Sequence, residues 1–385
     1  MPGGAHVAAV TGAHFDVAAG ECLALIGESG CGKSVLASAL LGLLPANAET
    51  AGEARLGDLD LLCADERTLA RRVRGRRIGL IPQSPAAHLT PVRTIRSQLE
   101  ETLRELTPVR GRAALRAAAE SAAGRAAFPL DHLDRHPHQL SGGLAQRAAT
   151  ALALVGDAPL LLADEPTTGL DRDLVDRTVD ELRRHVDGRD GTGTSVTAGV
   201  PKGADAPAVS GGPRGRGTPT IAGDPESTGA AADADGPGAP GGADGARDGE
   251  GTRDANGTRR ALLMITHDLA AAERIADRIA VMYAGRIVEI ADATAFFGSP
   301  GPRHPYSRGL LQALPDRAFT PIPGLPPELG ALPDGCAFAA RCDRVSDNCG
   351  ALPPLTDSVA CHHPLTGHGP RTARPAVPAP EDIRA

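Results

Sequence analysis

The chain has 385 residues, a 41% apolar fraction, only 2% aromatic residues with no Trp, and a net charge of −7. That length suits one large domain with an appendage, its core resting on Ala, Leu, Val and Ile; the acidic balance points away from nucleic acid, and neither a membrane-length apolar run nor a signal sequence follows Met1. A soluble, cytosolic chain is expected, and its seven cysteines, an odd number, argue against a closed disulfide framework.

In chain order, Val7 to Glu21 reads as short strands broken by glycine turns. Cys22 to Ile26 is an apolar strand-like run, and Lys33 to Leu44 is helical, with leucines at helical spacing. Between them Gly27, Glu28, Ser29, Gly30, Cys31, Gly32, Lys33 and Ser34 fit G-x-x-x-x-G-K-[ST], in the strand–loop–helix setting that pattern needs. The glycines let backbone N–H groups curl around α- and β-phosphates at a helix N-terminus, where the macrodipole favours anions. Lys33 would reach the β- and γ-phosphates, and Ser34 would offer its hydroxyl to Mg²⁺.

Arg77 to Pro82 predicts a second buried strand, ending at Gln83; Arg71, Arg72, Arg74, Arg76 and Arg77 read as its solvated approach rather than as a basic patch. Thr90 to Ala127 has helical periodicity through Ile95, Leu99 and Leu103, which predicts a helical subdomain. His138 to Arg147 leads into an Ala/Leu helix. Leu160 to Ala163 is an apolar strand with Asp164 and Glu165 at its end, and Asp171 is placed to cap a helix striped by Leu174, Val175, Val179, Leu182 and Val186. From about 187 to 257 Gly, Ala, Asp, Pro, Thr and Ser dominate, too little apolar surface to offset ordering entropy, so a disordered insertion is expected. Ala261 to Ile265 predicts a strand leading to Thr266, His267 and Asp268, followed by a helix over Leu269 to Asp277. Arg278 to Tyr283 and Arg286 to Ile290 read as a hairpin turned at Ala284 and Gly285. Beyond Pro300 the chain is Pro-rich and irregular.

Three buried strands thus end in polar residues suited to phosphate chemistry. In parallel α/β sheets ligands sit outside the carboxyl ends of the strands, so Gln83, Asp164, Glu165 and His267 should converge on the phosphate loop. Asp164 is placed to hold Mg²⁺, and Glu165 suits the general base that deprotonates the attacking water. Gln83 is a further Mg²⁺ ligand and γ-phosphate sensor, and His267 would bond the γ-phosphate and orient Glu165.

The set GESGCGKS, Gln83, LSGGLAQR, LLLADEPTTGLD and ITHD resembles the ATP-binding subunit of an ABC transporter, with LSGG, Leu140 to Gly143, as the discriminating element. The resemblance implies an α/β P-loop NTPase (RecA-like) core of ABC ATPase type with an antiparallel β subdomain, a helical subdomain at about 86–140 and a small irregular C-terminal region. It also implies two ATPase subunits head to tail, each ATP lying between one subunit's phosphate loop and the other's Leu140, Ser141, Gly142, Gly143 and Gln146. Ser141 to Gly143 precede a helix, which supplies a second anion-binding N-terminus. Asp171 matches the family's D-loop. HPHQLSGG, VMYAGRIVE, Pro302 to Pro315 and Ile322 to Cys342 resemble the oligopeptide, dipeptide and nickel importer branch. The implied activity is ATP hydrolysis, with ATP and Mg²⁺, driving uptake of peptides or a nickel chelate at the cytoplasmic face of the membrane. The implied partners are a second ATPase, two membrane-spanning permease subunits and an extracytoplasmic solute-binding protein. The divisions expected are 1–290 for the ATP-binding domain, 291–370 for the C-terminal region and 371–385 for a disordered tail.

Cys336, Cys342, Cys349 and Cys361, spaced C-x5-C-x6-C-x11-C, are not a C-x-x-C zinc pattern, although four clustered cysteines in a reducing compartment favour a metal over chance. In the resembling branch this segment can carry a [4Fe–4S] cluster on four thiolates, a role transferred to these positions. Zn²⁺ is the alternative, with His362 and His363 as substitute ligands. The sequence departs from the family in three ways. Nothing before Phe15 is aromatic, where members stack an aromatic on adenine, so a start upstream of Met1 is expected; Ser84 follows Gln83 where Asp is common; and LAQR replaces MRQR. Two other readings stay open: a soluble ABC ATPase of DNA repair or ribosomes, and a degenerate regulatory subunit whose metal segment senses redox state.

Overall fold

The computed structural model describes residues 7–188 and 259–366. The expected insertion, all but its first two residues, and the expected tail lie outside the described residues. Strand β1 (Cys22–Ile26) is buried along its whole length, as a continuous apolar run in the middle of a parallel sheet must be. It lies between β6 (Ala261–Thr266) and β7 (Arg278–Tyr283), parallel to both, in a six-stranded sheet of order β4-β5-β6-β1-β7-β8. Strands β4 (Ile78–Ile81) and β5 (Leu160–Asp164) extend the parallel part, and β8 (Arg286–Asp292) closes the far edge as the antiparallel partner of β7. The register sets Ile26 beside Thr266 and Asp164 beside Ile265, so the carboxyl ends of β1, β5 and β6 stand together.

Alternation along β1 divides the core. Leu23 and Leu25 face helix α1 (Lys33–Leu40), with Ala37, Leu41 and Met282. Ala24 and Ile26 face the other side, where Tyr283, Tyr306, Phe296 and Phe338 pack. The short antiparallel pair β2 (Arg55–Leu56) and β3 (Leu59–Asp60) and the turn α2 (Glu66–Thr68) precede β4, and the β7–β8 hairpin is the other antiparallel pair of strands among the described residues. Of the arginines before β4, Arg74 pairs with Glu66 at 2.6 Å and Arg77 with Asp58 at 3.1 Å, while Arg71, Arg72 and Arg76 are exposed.

After the short α3 (Pro85–His88), helices α4 (Ile95–Leu106), α5 (Arg112–Arg125) and α6 (Gly142–Ala153) form the helical subdomain. Its separate core unites Ile95, Leu99 and Leu103 with Leu115, Ala119 and Ala148; a fully buried Leu of this kind contributes about 1.5–3 kcal/mol. Helix α7 (Arg172–Val186) is capped by Asp171, whose carboxylate accepts the Leu174 N–H at 3.0 Å, and it buries Val179, Leu182 and Val186. Then come α8 (Leu269–Ile275), α9 (Ala293–Phe297) and α10 (Pro305–Gln312).

Four local expectations need correction. The helix after the phosphate loop stops at Leu40, because the chain turns at Gly42. Residues 7–21 form no strand; a single bridge joins Gly12 to Arg286, while Val10, Ala13, Phe15 and Val17 pack against the core from an irregular segment. Helix α8 ends two residues early, where Asp277 turns its carboxylate to the Cys22 N–H and to Arg183, both at 2.8 Å. The stretch beyond Pro300 holds a helix, α10, with His304 as N-cap and Pro305 in its first turn, a pairing the sequence displayed.

Candidate active site

The phosphate loop leaves β1 at Gly27 and becomes α1 at Lys33. At Gly32, φ is 104°, and a Cβ there would stand 2.4 Å from the Ala9 carbonyl oxygen; at Gly27 a Cβ would stand 2.2 Å from the Met282 carbonyl oxygen. Both positions need glycine because backbone passes directly over them. Lys33 is buried, and its Nζ donates to the carbonyls of Gly27 at 2.7 Å and Glu28 at 3.1 Å and lies 3.8 Å from the Cys31 sulfur. Ser29 and Gly30 are exposed at the crest and Ser34 is half-buried. Cys31 is packed inside, and burial raises its thiol pKa, which makes it a structural residue.

Asp164 ends β5 with 6% exposure, and its Oδ1 is buried without a hydrogen-bond partner. Burial raises its pKa, and the neighbouring Glu165 charge adds to the rise, while the Ser34 hydroxyl and the Lys33 charge oppose it. An orphan carboxylate oxygen beside a serine hydroxyl is a hard-oxygen donor set, which fits Mg²⁺. Glu165 takes a left-handed backbone conformation, φ 54°, held by its N–H to the Ile265 carbonyl at 2.8 Å. This conformation aims its carboxylate at His267, whose Nδ1 lies 2.7 Å from Oε2; the Thr168 hydroxyl donates to the same oxygen at 3.4 Å. Buried Glu165 thus stands beside exposed His267 at the carboxyl end of the sheet. Gln83 follows β4, on the far side of β5 from β6, and is exposed.

Ser141 caps α6 by accepting the Leu144 N–H at 3.4 Å, and with Gly142 it is exposed. Leu140 is half-buried. A Cβ on Gly143 would meet the Gly169 carbonyl at 3.1 Å, so this helix end packs on the turn before exposed Asp171. Gln146 differs from expectation: it is only 2% exposed, and its Nε2 lacks a partner.

The four late cysteines are free thiols; among the described residues no group of three or more His, Cys, Asp or Glu stands as a metal site. Cys336 and Cys342 are half-buried and Cys349 is buried; burial raises the pKa of Cys336 and Cys361, and takes Cys342 to about 11.

Sequence reasoning missed a contact that reaches the phosphate loop from the end of the chain. Arg341 forks onto Glu28 through Nη1 at 2.7 Å and Nη2 at 2.9 Å, and the Glu28 N–H donates to the Tyr306 hydroxyl at 2.9 Å. These partners are up to 313 residues apart, and no local pattern announces them.

Residues 10–168 match the ABC transporter family, and residues 288–349 match the oligopeptide/dipeptide transporter C-terminal region. A probable peptide ABC transporter ATP-binding protein of Sinorhizobium fredii is 34% identical over 368 residues, covering 92% of this chain and 87% of that one. The chain belongs to the ABC transporter ATP-binding family. The dipeptide transport ATP-binding protein of Bacillus subtilis is 31% identical over 351 residues, covering 88% of this chain and 82% of its own. The oligopeptide transport ATP-binding protein of Mycobacterium tuberculosis is 33% identical over 93% of this chain, which spans about half (48%) of that relative. Among solved structures, a dimeric ATP-binding cassette in a post-hydrolysis state, bound to ADP and Pi, superimposes with TM-score 0.51 at 19% identity, covering 74% of this chain and 90% of that one. That likeness establishes the ABC ATPase fold.

Proposed function

We propose that this chain hydrolyses ATP and that hydrolysis powers uptake of peptides. The observation that carries the reaction is the 2.7 Å contact between Glu165 and His267 at the carboxyl end of the sheet, next to the phosphate loop. Loop amides, Lys33 and the N-terminus of α1 bind the phosphates. Mg²⁺, held by Ser34, Asp164 and Gln83, would neutralise charge on the β- and γ-phosphates. Glu165 takes the proton of the attacking water, and His267 orients Glu165 and bonds the transferred phosphoryl oxygens. Exposed Ser141 and Gly142 at the start of α6 would face a second ATPase subunit, and Asp171, after the turn that packs on Gly143, would serve as the D-loop residue. Peptide is proposed over a nickel chelate because the relatives carry oligopeptide and dipeptide names.

Among the described residues no helix is long and apolar enough to cross a membrane, which suits a peripheral subunit working with two permease subunits and an external solute-binding protein. The reading extends to a [4Fe–4S] cluster on Cys336, Cys342, Cys349 and Cys361. Support comes from N–H groups two residues on that bond the Cys342 and Cys361 sulfurs at 3.4 and 3.3 Å, the kind of hydrogen bond that would tune a thiolate-held cluster. Anaerobic iron and zinc content decides between the cluster, Zn²⁺ and no metal. For the reaction itself, Glu165→Gln in the assembled transporter should keep ATP binding and lose turnover by about 10²–10⁴-fold. Unchanged turnover would sink the base assignment.

A further inference from the structure

The phosphate loop carries a negative charge where it should bind anions. Glu28 is its second residue, and a free carboxylate there would repel phosphate. The structure answers that charge from the other end of the chain. Arg341, with 4% of its side chain exposed, engages both Glu28 oxygens in a fork. The guanidinium is fixed on its other edges: Nε donates to the Pro323 carbonyl at 2.9 Å and Nη1 lies 3.2 Å from the Tyr283 hydroxyl. It also stacks 5.8 Å from the Tyr283 ring centre and 5.9 Å from that of Phe338. The chain has two tyrosines in all; Tyr283 braces Arg341, and Tyr306 accepts the Glu28 N–H. Residue 28 is thus gripped at its side chain and its amide, while its carbonyl accepts Lys33 Nζ.

We infer that Arg341 is a positioning residue of the nucleotide site: it neutralises Glu28 and sets the phosphate loop, so the cysteine-bearing C-terminal segment is part of the ATP-binding apparatus. The effect runs through residue 28 to Lys33, whose ammonium is held between the carbonyls of Gly27 and Glu28. A loop already fixed in its binding shape loses less entropy when phosphate arrives. Loss of the guanidinium removes that fixation and exposes the carboxylate to the incoming anion. The inference rests on the ATP reading for its ligand, but the clamp itself has a readout without nucleotide.

The test uses the full chain and its variants Arg341→Met, Arg341→Lys and the double variant Glu28→Gln with Arg341→Met. Hydrogen exchange of the segment Gly27 to Lys33, measured without nucleotide, should speed up in Arg341→Met. Equilibrium binding of a fluorescent ATP analogue with Mg²⁺ should weaken about tenfold in Arg341→Met, be intermediate in Arg341→Lys, and return to within about twofold of the parent in the double variant. Recovery on removing the carboxylate shows that the guanidinium acts by answering the Glu28 charge, and the faster exchange confined to Gly27 to Lys33 is the outcome that a general loss of stability would not give. Unchanged exchange and affinity in Arg341→Met, or a double variant as weak as the single one, overturns the inference. If Arg341→Met does not fold, Arg341→Lys, which keeps charge and loses the fork, must show both effects. A parent chain that binds no ATP refutes the ATP reading, while the exchange comparison still decides the clamp.

Discussion

Replacing His304 by Asn tests how burial of a neutral imidazole ties the C-terminal segment to pH. His304 is 2% exposed, packs against Tyr306 and Phe338, and its Nδ1 accepts the Tyr306 N–H at 3.0 Å as the cap of α10. Burial depresses its pKa from 6.5 to about 4. The unfolded chain therefore takes up this proton first as pH falls. Stability from the neutral ring is fully present above pH 6.5 and is lost as pH falls toward 4. A span of about 2.5 pH units at about 1.36 kcal/mol each gives about 3 kcal/mol. Asn keeps a side-chain acceptor at the N-cap and cannot titrate. Glu289, which accepts the His304 N–H at 3.0 Å, is itself raised by burial and cancels in the comparison. Urea unfolding of parent and variant from about pH 7 to pH 4 should show the parent losing about 3 kcal/mol relative to the variant. The smaller Asn adds a cost that is constant with pH, so only the slope matters. A flat difference across that range would refute the reasoning.

Asp164→Asn should raise the thermal midpoint at pH 7, because burial raises the Asp164 pKa and its ionised form costs stability there. The gain should vanish as pH falls below about 3.8, where folded and unfolded chains both hold the proton, and Mg²⁺–ATP should stabilise the parent more than the variant; a variant less stable at pH 7 contradicts the assignment. Gly32→Ala forces a Cβ to 2.4 Å from the Ala9 carbonyl at φ 104° and should cost about 1–3 kcal/mol while abolishing nucleotide binding. Normal ATP affinity in that variant, measured by equilibrium binding, would mean the loop has another conformation.

Much of the site was legible because its chemistry depends on spacing within single segments. The phosphate loop, Asp164 with Glu165, and the Asp171 cap each need residues a few positions apart, at the end of an apolar run that can only be a buried strand. The hairpin at Ala284 and Gly285 was equally local. The extent of α8 was not, because Asp277, 255 residues from Cys22, turns its carboxylate to that residue's N–H. Nor was the burial of Gln146 on α6.

The sequence by itself determined the phosphate chemistry and the family, since both are carried by short motifs whose backbone geometry is local. Only the tertiary structure decided which residues share a charge or a core. The pairing of Glu165 with His267 required β5 and β6 to be neighbours in register. The hold of Arg341 on Glu28 required the end of the chain to pack on the face of β1 that carries Ala24 and Ile26. Such contacts arise from long-range packing of apolar faces, which periodicity reveals one element at a time and never in pairs.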